Sequence, residues 1–268
     1  MEPQVTVLIP SYNPGVYLSH ALESVFQQIY PHWKIIVVDD CSTDTSLLQV
    51  SPFLRHPQVT LVKHAVNLGQ SKAQNTGLDL VDTPYVVQLD SDDWFLPNTL
   101  EVLMREAEKQ PPDVAVLSGN IQIVMEERGE NSPSYVRKGQ MFKNKYDFLL
   151  SNSSVWPRCY RTNALRQVGG WPIDDPYEGR YLEDKRILCR LIERYRFYWI
   201  DEVLYVHRRH DYNQTHQMLI YNYMIEWNVR DVLKRWGDEF EPVFTIDKYG
   251  WKNVVALNPK KKLSGSNH

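Results

Sequence analysis

The chain has 268 residues, 43% of them hydrophobic, with 30 basic against 33 acidic side chains and a net charge of −3. That length suits one large domain or a domain with an extension, and the apolar share excludes a disordered chain. A near-balanced charge excludes broad nucleic-acid binding, which needs a concentrated basic face.

The elements follow in order. Val5 to Ile9 reads as a strand closed by the turn residues Pro10-Ser11-Tyr12-Asn13-Pro14-Gly15. Leu18, Ala21, Leu22, Val25, Phe26 and Ile29 recur at spacings of three and four, one face of a helix. Ile35 to Val38 is a buried strand running into Asp39-Asp40-Cys41-Ser42-Thr43-Asp44, whose polar residues suit the cap of a short helix towards Pro52. Asp39 fits such a cap. Val59 to Val62 is a third strand, and Asn67 through Gly77 leads into a helix. Tyr85 to Leu89 is a fourth strand that ends in Asp90-Ser91-Asp92-Asp93, three carboxylates in four positions; Pro97 then opens a helix through Leu100, Leu103, Met104 and Ala107.

Beyond Pro111-Pro112, strands are expected at Val114 to Leu117 and Ile121 to Met125, with a surface loop or hairpin over Glu126 to Ser134. A short helix is expected at Tyr146 to Leu150, a returning strand within Ser151 to Tyr160, and a helix from Arg161 to Val168 stopped by Gly169-Gly170. After a loop from Trp171 to Tyr181, Glu183-Asp184 opens an amphipathic helix carrying Ile187, Leu188, Leu191 and Ile192. Phe197 to Ile200 and Val203 to Val206 read as two short strands, residues 215 to 236 as an aromatic-rich helix, and Pro242 to His268 as a fraying tail.

Alternating strands and helices imply a parallel sheet, so Pro10 to Asn13, Asp39 to Asp44 and Asp90 to Asp93 converge on the rim where such sheets bind ligands. Carboxylates crowded in one turn repel, and a divalent cation relieves that repulsion; a plain acidic cap of the next helix is the rival account. Neither a Gly-x-Gly-x-x-Gly nor a Walker-type motif occurs, which disfavours a dehydrogenase or a P-loop enzyme. The three cysteines have no Cys-x-x-Cys spacing, so they read as reduced thiols. The N-terminus lacks a signal-peptide pattern and no apolar run reaches the roughly 20 residues of a membrane span. A cytoplasmic protein is expected, at most peripheral at the inner membrane face.

The motifs Val7-Leu8-Ile9-Pro10-Ser11-Tyr12-Asn13, Val37 through Asp44, Asn67 through Gly77, Leu89 through Asp93 and Glu183-Asp184, in that order, resemble glycosyltransferase family 2 over roughly residues 4 to 213. The resemblance implies the GT-A fold, an α/β, Rossmann-like, mostly parallel central sheet flanked by helices. Residues 1–117 would form the nucleotide-sugar half, 118–213 the acceptor half, and 214–268 a C-terminal helical extension. It implies an inverting transfer from a nucleotide-diphosphate donor, a UDP-sugar by expectation, to a hydroxyl of a glycan, a lipid-linked glycan or a protein, as in polysaccharide or cell-wall synthesis. Asp40 would take the ring NH of a uracil-type base, with Pro10 and Tyr12 lining that base. Asp90 would reach the ribose or the metal's water shell, and Asp92 would ligate Mn²⁺ or Mg²⁺ with His210 as a further ligand. Asp184 would be the catalytic base. Asn13, Asn67, Gly69, Lys72 and Ser91 complete the expected donor-binding set, and Arg208 or Arg209 would add positive charge beside the diphosphate. Cys41 stands where the family usually has Gly, a departure expected to matter little. A sugar-nucleotide nucleotidyltransferase and a non-catalytic nucleotide-sugar-binding subunit are the rival readings.

Overall fold

The computed structural model describes residue 2 and residues 4–127, 130–153, 155–210 and 217–261. The elements begin with β1 (Val5–Ser11), α1 (Tyr17–Phe26), β2 (Trp33–Asp39), the short α2 (Ser46–Gln49) and α3 (Ser51–Leu54), β3 (Val59–Lys63), α4 (Gln70–Leu80) and β4 (Tyr85–Gln88). They continue with β5 (Trp94–Phe95), α5 (Thr99–Lys109), β6 (Val114–Glu127), β7 (Glu130–Arg137), α6 (Lys145–Leu150), β8 (Trp156–Arg161) and α7 (Thr162–Gln167). The last are α8 (Glu183–Leu191), β9 (Arg196–Arg209), α9 (Met218–Arg235), β10 (Phe240–Ile246) and β11 (Lys252–Pro259).

Two compact units result: residues 1–142 with 154–213, and residues 143–153 with 214–268. The first holds a nine-stranded sheet in the order β3-β2-β1-β4-β8-β6-β9-β5, with β7 paired to β6. β3, β2, β1 and β4 are parallel. All seven residues of β1 are buried, as expected of a parallel strand covered on both faces. Helix α4 lies so close on this sheet that a side chain at Gly77 would collide with Leu8. β8 is antiparallel to both β4 and β6, and pairs Gln88 with Arg158.

The structure corrects several sequence expectations. Val114 to Leu117 and Ile121 to Met125 belong to one strand, β6, and the two strands expected between Phe197 and Val206 are the single strand β9. Ser118 pairs with Trp199 and Asn120 with Val203, so Ile200 to Glu202 bulge opposite Gly119 alone. A side chain at Gly119 would press on the Glu202 carbonyl, and Asn120 donates to Asp201 at 2.8 Å to hold the bulge. The polar pair Asp201-Glu202 thus interrupts the apolar pattern without ending the strand. The expected loop or hairpin after Met125 is the β6–β7 hairpin, with 128 and 129 outside the described residues.

The second unit overturns the fraying tail: β10 and β11 form an antiparallel hairpin closed by Asp247 to Gly250, and only 262–268 of that tail lie outside the described residues. Asp247 accepts from the Tyr249 and Trp251 amides, which shapes the turn. Residues 143–153, placed by the sequence reading in the acceptor half, belong to this unit. Tyr146 packs edge-on against Trp236 and Phe240, and Asn152 exchanges two hydrogen bonds with the Val254 backbone. The C-terminal extension is therefore a helix plus a hairpin.

Candidate active site

The parallel strands β1, β2 and β4 end on one rim, so the loops that follow them meet there. Asn13, at φ +49, accepts from the Thr43 amide at 2.7 Å and the Asp44 amide at 3.3 Å, while its own amide donates to Ser42 at 2.9 Å. Asn13 thereby ties the first loop to the second, since Asn tolerates left-handed backbone. Cys41 adopts φ +68, a region that favours glycine, so the departure at this position has a conformational consequence. Pro10 is buried in β1, whereas the Tyr12 ring is 50% exposed above the rim. Asp39 accepts from the Ser42 amide, a turn-shaping role.

Asp40 is only 4% exposed. Its Oδ1 meets His64 Nδ1 at 2.7 Å and the Leu68 amide at 2.8 Å, and its Oδ2 takes the Gly69 amide at 2.7 Å. One carboxylate therefore shapes the loop after β3, and His64 is in turn held by Thr76 at 3.0 Å. Asn67 accepts from Arg180, and Gly69 at φ +95 lies against the Arg180 side chain, where a Cβ would clash. Lys72 pairs with Glu178 at 2.5 Å. These contacts dock the loop at 171–181 on the start of α4.

Beyond β4 the acidic residues diverge in role. Asp93 is buried and takes the Arg208 amide at 2.8 Å and His207 Nδ1 at 3.1 Å, which fastens β9 to the rim. Burial pushes its carboxyl up to about 6, against the pull of His207 and with added repulsion from Asp92 and Asp90. Asp92 is a quarter exposed and meets His210 Nε2 at 3.1 Å; the His210 ring packs at a 30° tilt against Tyr17, centroids 4.7 Å apart. Asp92 and His210 are therefore brought together. Among the described residues, no three His, Cys, Asp or Glu side chains gather into a metal cage. Ser91 lies partly buried between Asp90 and Asp92.

The Arg208 guanidinium lies 4.6 and 4.7 Å from the Tyr17 and Trp94 rings. It donates to Glu126 at 2.7 Å and to the Asp92 carbonyl at 3.0 Å, and meets His20 at 2.7 Å. Three of its N–H groups thus serve the rim itself, which fixes the position of its positive charge.

Asp184 stands in the first turn of α8, after Leu182, whose φ of +59 aims the chain into the helix. Its Oδ1 takes the Lys185 amide at 2.7 Å and its Oδ2 takes Arg158 Nη1 at 3.0 Å. Arg158 Nη2 reaches Asp90 at 2.8 Å, so one guanidinium joins two acids that lie far apart in sequence. The Arg158 side chain is 3% exposed. Burial opposes its charge, but Asp90 and Asp184 outweigh that cost and hold it protonated. Burial, reinforced by repulsion from Asp184, pushes the neighbouring Glu183 up to about 8. Burial pulls Lys185 down to about 8. Sequence reading missed Arg158, although an Arg flanked by Trp156, Pro157, Cys159 and Tyr160 in an apolar strand signals a buried charge that needs partners.

Comparison with known proteins agrees with this architecture. The pattern described as glycosyl transferase family 2 matches residues 6–169. The chain is 31% identical over 198 residues to Glycosyltransferase GlyA of Streptococcus pneumoniae, a match covering 69% of this chain and 28% of that protein. It superposes on S. aureus TarS 1–349 in complex with UDP at a TM-score of 0.62 and 23% identity, covering 85% of this chain and 66% of that one. A mannosyltransferase of Pyrobaculum calidifontis, PcManGT, in complex with GDP-Man and Mn²⁺, superposes at 0.65 with 19% identity, covering 87% and 65%. The fold is GT-A, the architecture of nucleotide-sugar glycosyltransferases. Within it, the chain belongs to glycosyltransferase family 2, and it spans from about a quarter to somewhat over half of the length of the curated relatives it matches. Among the described residues, no helix is long and apolar enough to cross a membrane.

Proposed function

We propose that the protein is a metal-dependent, inverting glycosyltransferase that moves a sugar from a UDP-sugar to an acceptor hydroxyl, with Asp184 as general base. The observation that carries this reading is the arrangement of Asp90 and Asp184 on one buried guanidinium, with Asp92, two residues past Asp90, meeting His210. The exposed Tyr12 ring offers the base a stacking surface. Among the described residues Asp40 Oδ2 accepts one hydrogen bond, so it retains a lone pair for a uracil ring NH. The UDP held by TarS and the Mn²⁺ held by PcManGT support such a donor and such an ion.

Asp92 and His210 form a carboxylate–imidazole donor set that suits Mn²⁺, or Mg²⁺ with a larger share of water and phosphate oxygens. Bound there, the ion supplies positive charge against the diphosphate as negative charge develops on it. The acceptor oxygen attacks the anomeric carbon from the face opposite the diphosphate. A carbon–oxygen bond forms there as the bond to the phosphate oxygen breaks, its electron pair leaves on UDP, and the hydroxyl proton passes to Asp184. One displacement inverts the stereocentre. The hydroxyl belongs to a glycan, a lipid-linked glycan or a protein.

Incubation with a panel of nucleotide sugars and Mn²⁺ tests the reading through released nucleotide. UDP release that stops on adding EDTA is expected. Release undiminished by EDTA, or release from purine-nucleotide sugars alone, refutes it.

A further inference from the structure

We infer that Arg158 is a positioning residue that sets the general base in register with the donor site. The inference rests on the reading of Asp184 as the base. Three observations carry it. Arg158 is fixed by the sheet: β8 lies between β4 and β6, and Arg158 pairs in register with Gln88, two residues before Asp90. Its side chain is 3% exposed, so its donors are not shared with bulk water. Its two terminal nitrogens divide between the two acids, 2.8 Å to Asp90 and 3.0 Å to Asp184, which lie on β4's end and on the first turn of α8.

The planar, pre-organised fork of an arginine holds two carboxylates at a set spacing, which the flexible point charge of a lysine does not. Asp90 is held from its other side as well, since Gln88 donates to its Oδ1 at 2.9 Å. The chain Gln88–Asp90–Arg158–Asp184 therefore runs from the rigid sheet to the mouth of α8. The loop before that helix is docked on the start of α4 by Arg180 and by the Lys72–Glu178 pair, and Arg186 ties α8 back to Asp174 and Asp175. Arg158 adds the link that ties the Asp184 carboxylate itself to the donor side of the sheet. It acts on the reaction through Asp184 and on the donor through Asp90.

A buried arginine that merely neutralises an acidic pocket would look similar, and a double-mutant cycle separates the two. Arg158→Gln, Asp184→Asn and the double variant are compared for turnover of UDP-glucose or UDP-GlcNAc, whichever the donor panel shows hydrolysed, and for calorimetric affinity towards UDP with Mn²⁺. Misplacing a reacting group by about 1 Å costs roughly 10²-fold, so Arg158→Gln should lower kcat about that much in the parent protein. In the Asp184→Asn background the same change should lower kcat by less than about 3-fold, because the group it positions is already disabled. Any change in UDP affinity, which runs through Asp90, should be the same in both backgrounds. Arg158→Lys keeps the charge but not the fork, and should fall between parent and Arg158→Gln; it carries the cycle if Arg158→Gln does not fold. Unchanged kcat in Arg158→Gln, or losses that multiply in the double variant, overturn the inference while leaving the base assignment intact. Near-normal turnover of Asp184→Asn overturns the base assignment, and this inference with it.

Discussion

Replacing Cys41 by glycine tests whether the rim is under backbone strain. At φ +68 an L-residue places its Cβ against the following carbonyl, at a cost of roughly 1–2 kcal/mol. Glycine escapes that cost but loses about 0.5–1 kcal/mol through the extra freedom of its unfolded chain. The thiol's contact with the Ala65 carbonyl, at 3.5 Å, is a weak hydrogen bond and subtracts little. At mid-range the difference favours Cys41→Gly by about 0.75 kcal/mol, or a rise of about 1.5–3 °C in Tm for a unit of this size. Differential scanning calorimetry of the two proteins in parallel reads the shift. Asn13 still carries the amides of Thr43 and Asp44, so UDP affinity should stay within about 2-fold by calorimetry. A Tm that is unchanged or lower would falsify the strain argument, because it would mean that the loop relaxes around the side chain at no cost.

The other predictions concern charges. Asp92→Ala should keep the far-UV spectrum and melting transition of the parent while weakening Mn²⁺-dependent UDP binding by more than about 10-fold; unaltered calorimetric binding removes Asp92 from the metal site. Asp40→Ala leaves the Leu68 and Gly69 amides without their acceptor, so it should lower stability by about 2–4 kcal/mol in urea titration. An unshifted urea midpoint would show that another group holds this loop. Glu183 ionises near 4.5 in the unfolded chain and at about 8 in the native one. Across that window the native state binds more protons than the unfolded state, so this residue makes stability fall as pH rises from about 5 to 8. Glu183→Gln, a mimic of the neutral acid, should flatten that slope, and an identical pH dependence in the variant excludes a raised Glu183.

Much of this protein was legible along the chain because its first half is built from local signals. Apolar runs such as Val5 to Ile9 and Ile35 to Val38, each ended by turn residues, specify strands whose parallel packing forces Tyr12, Asp40 and Asp90 onto one rim. Periodicity also placed Asp184 in the first turn of a helix. The signal failed where partners are distant in sequence. Asp201-Glu202 looked like a strand break until the opposing Gly119 made room for a bulge, and Trp94-Phe95 is too short to read without its partners Val206 and Tyr205. The hairpin of β10 and β11 was hidden behind a lysine-rich end, although its Asp247-to-Gly250 turn was readable. Charge pairing was beyond sequence altogether. Arg208 and Arg158 each lie on a strand that carries other arginines, and only the tertiary structure clasps the first between Tyr17 and Trp94 and sets the second between Asp90 and Asp184. A buried charge must find its counter-charges wherever the fold brings them, and that choice is made by packing rather than by neighbours in the chain.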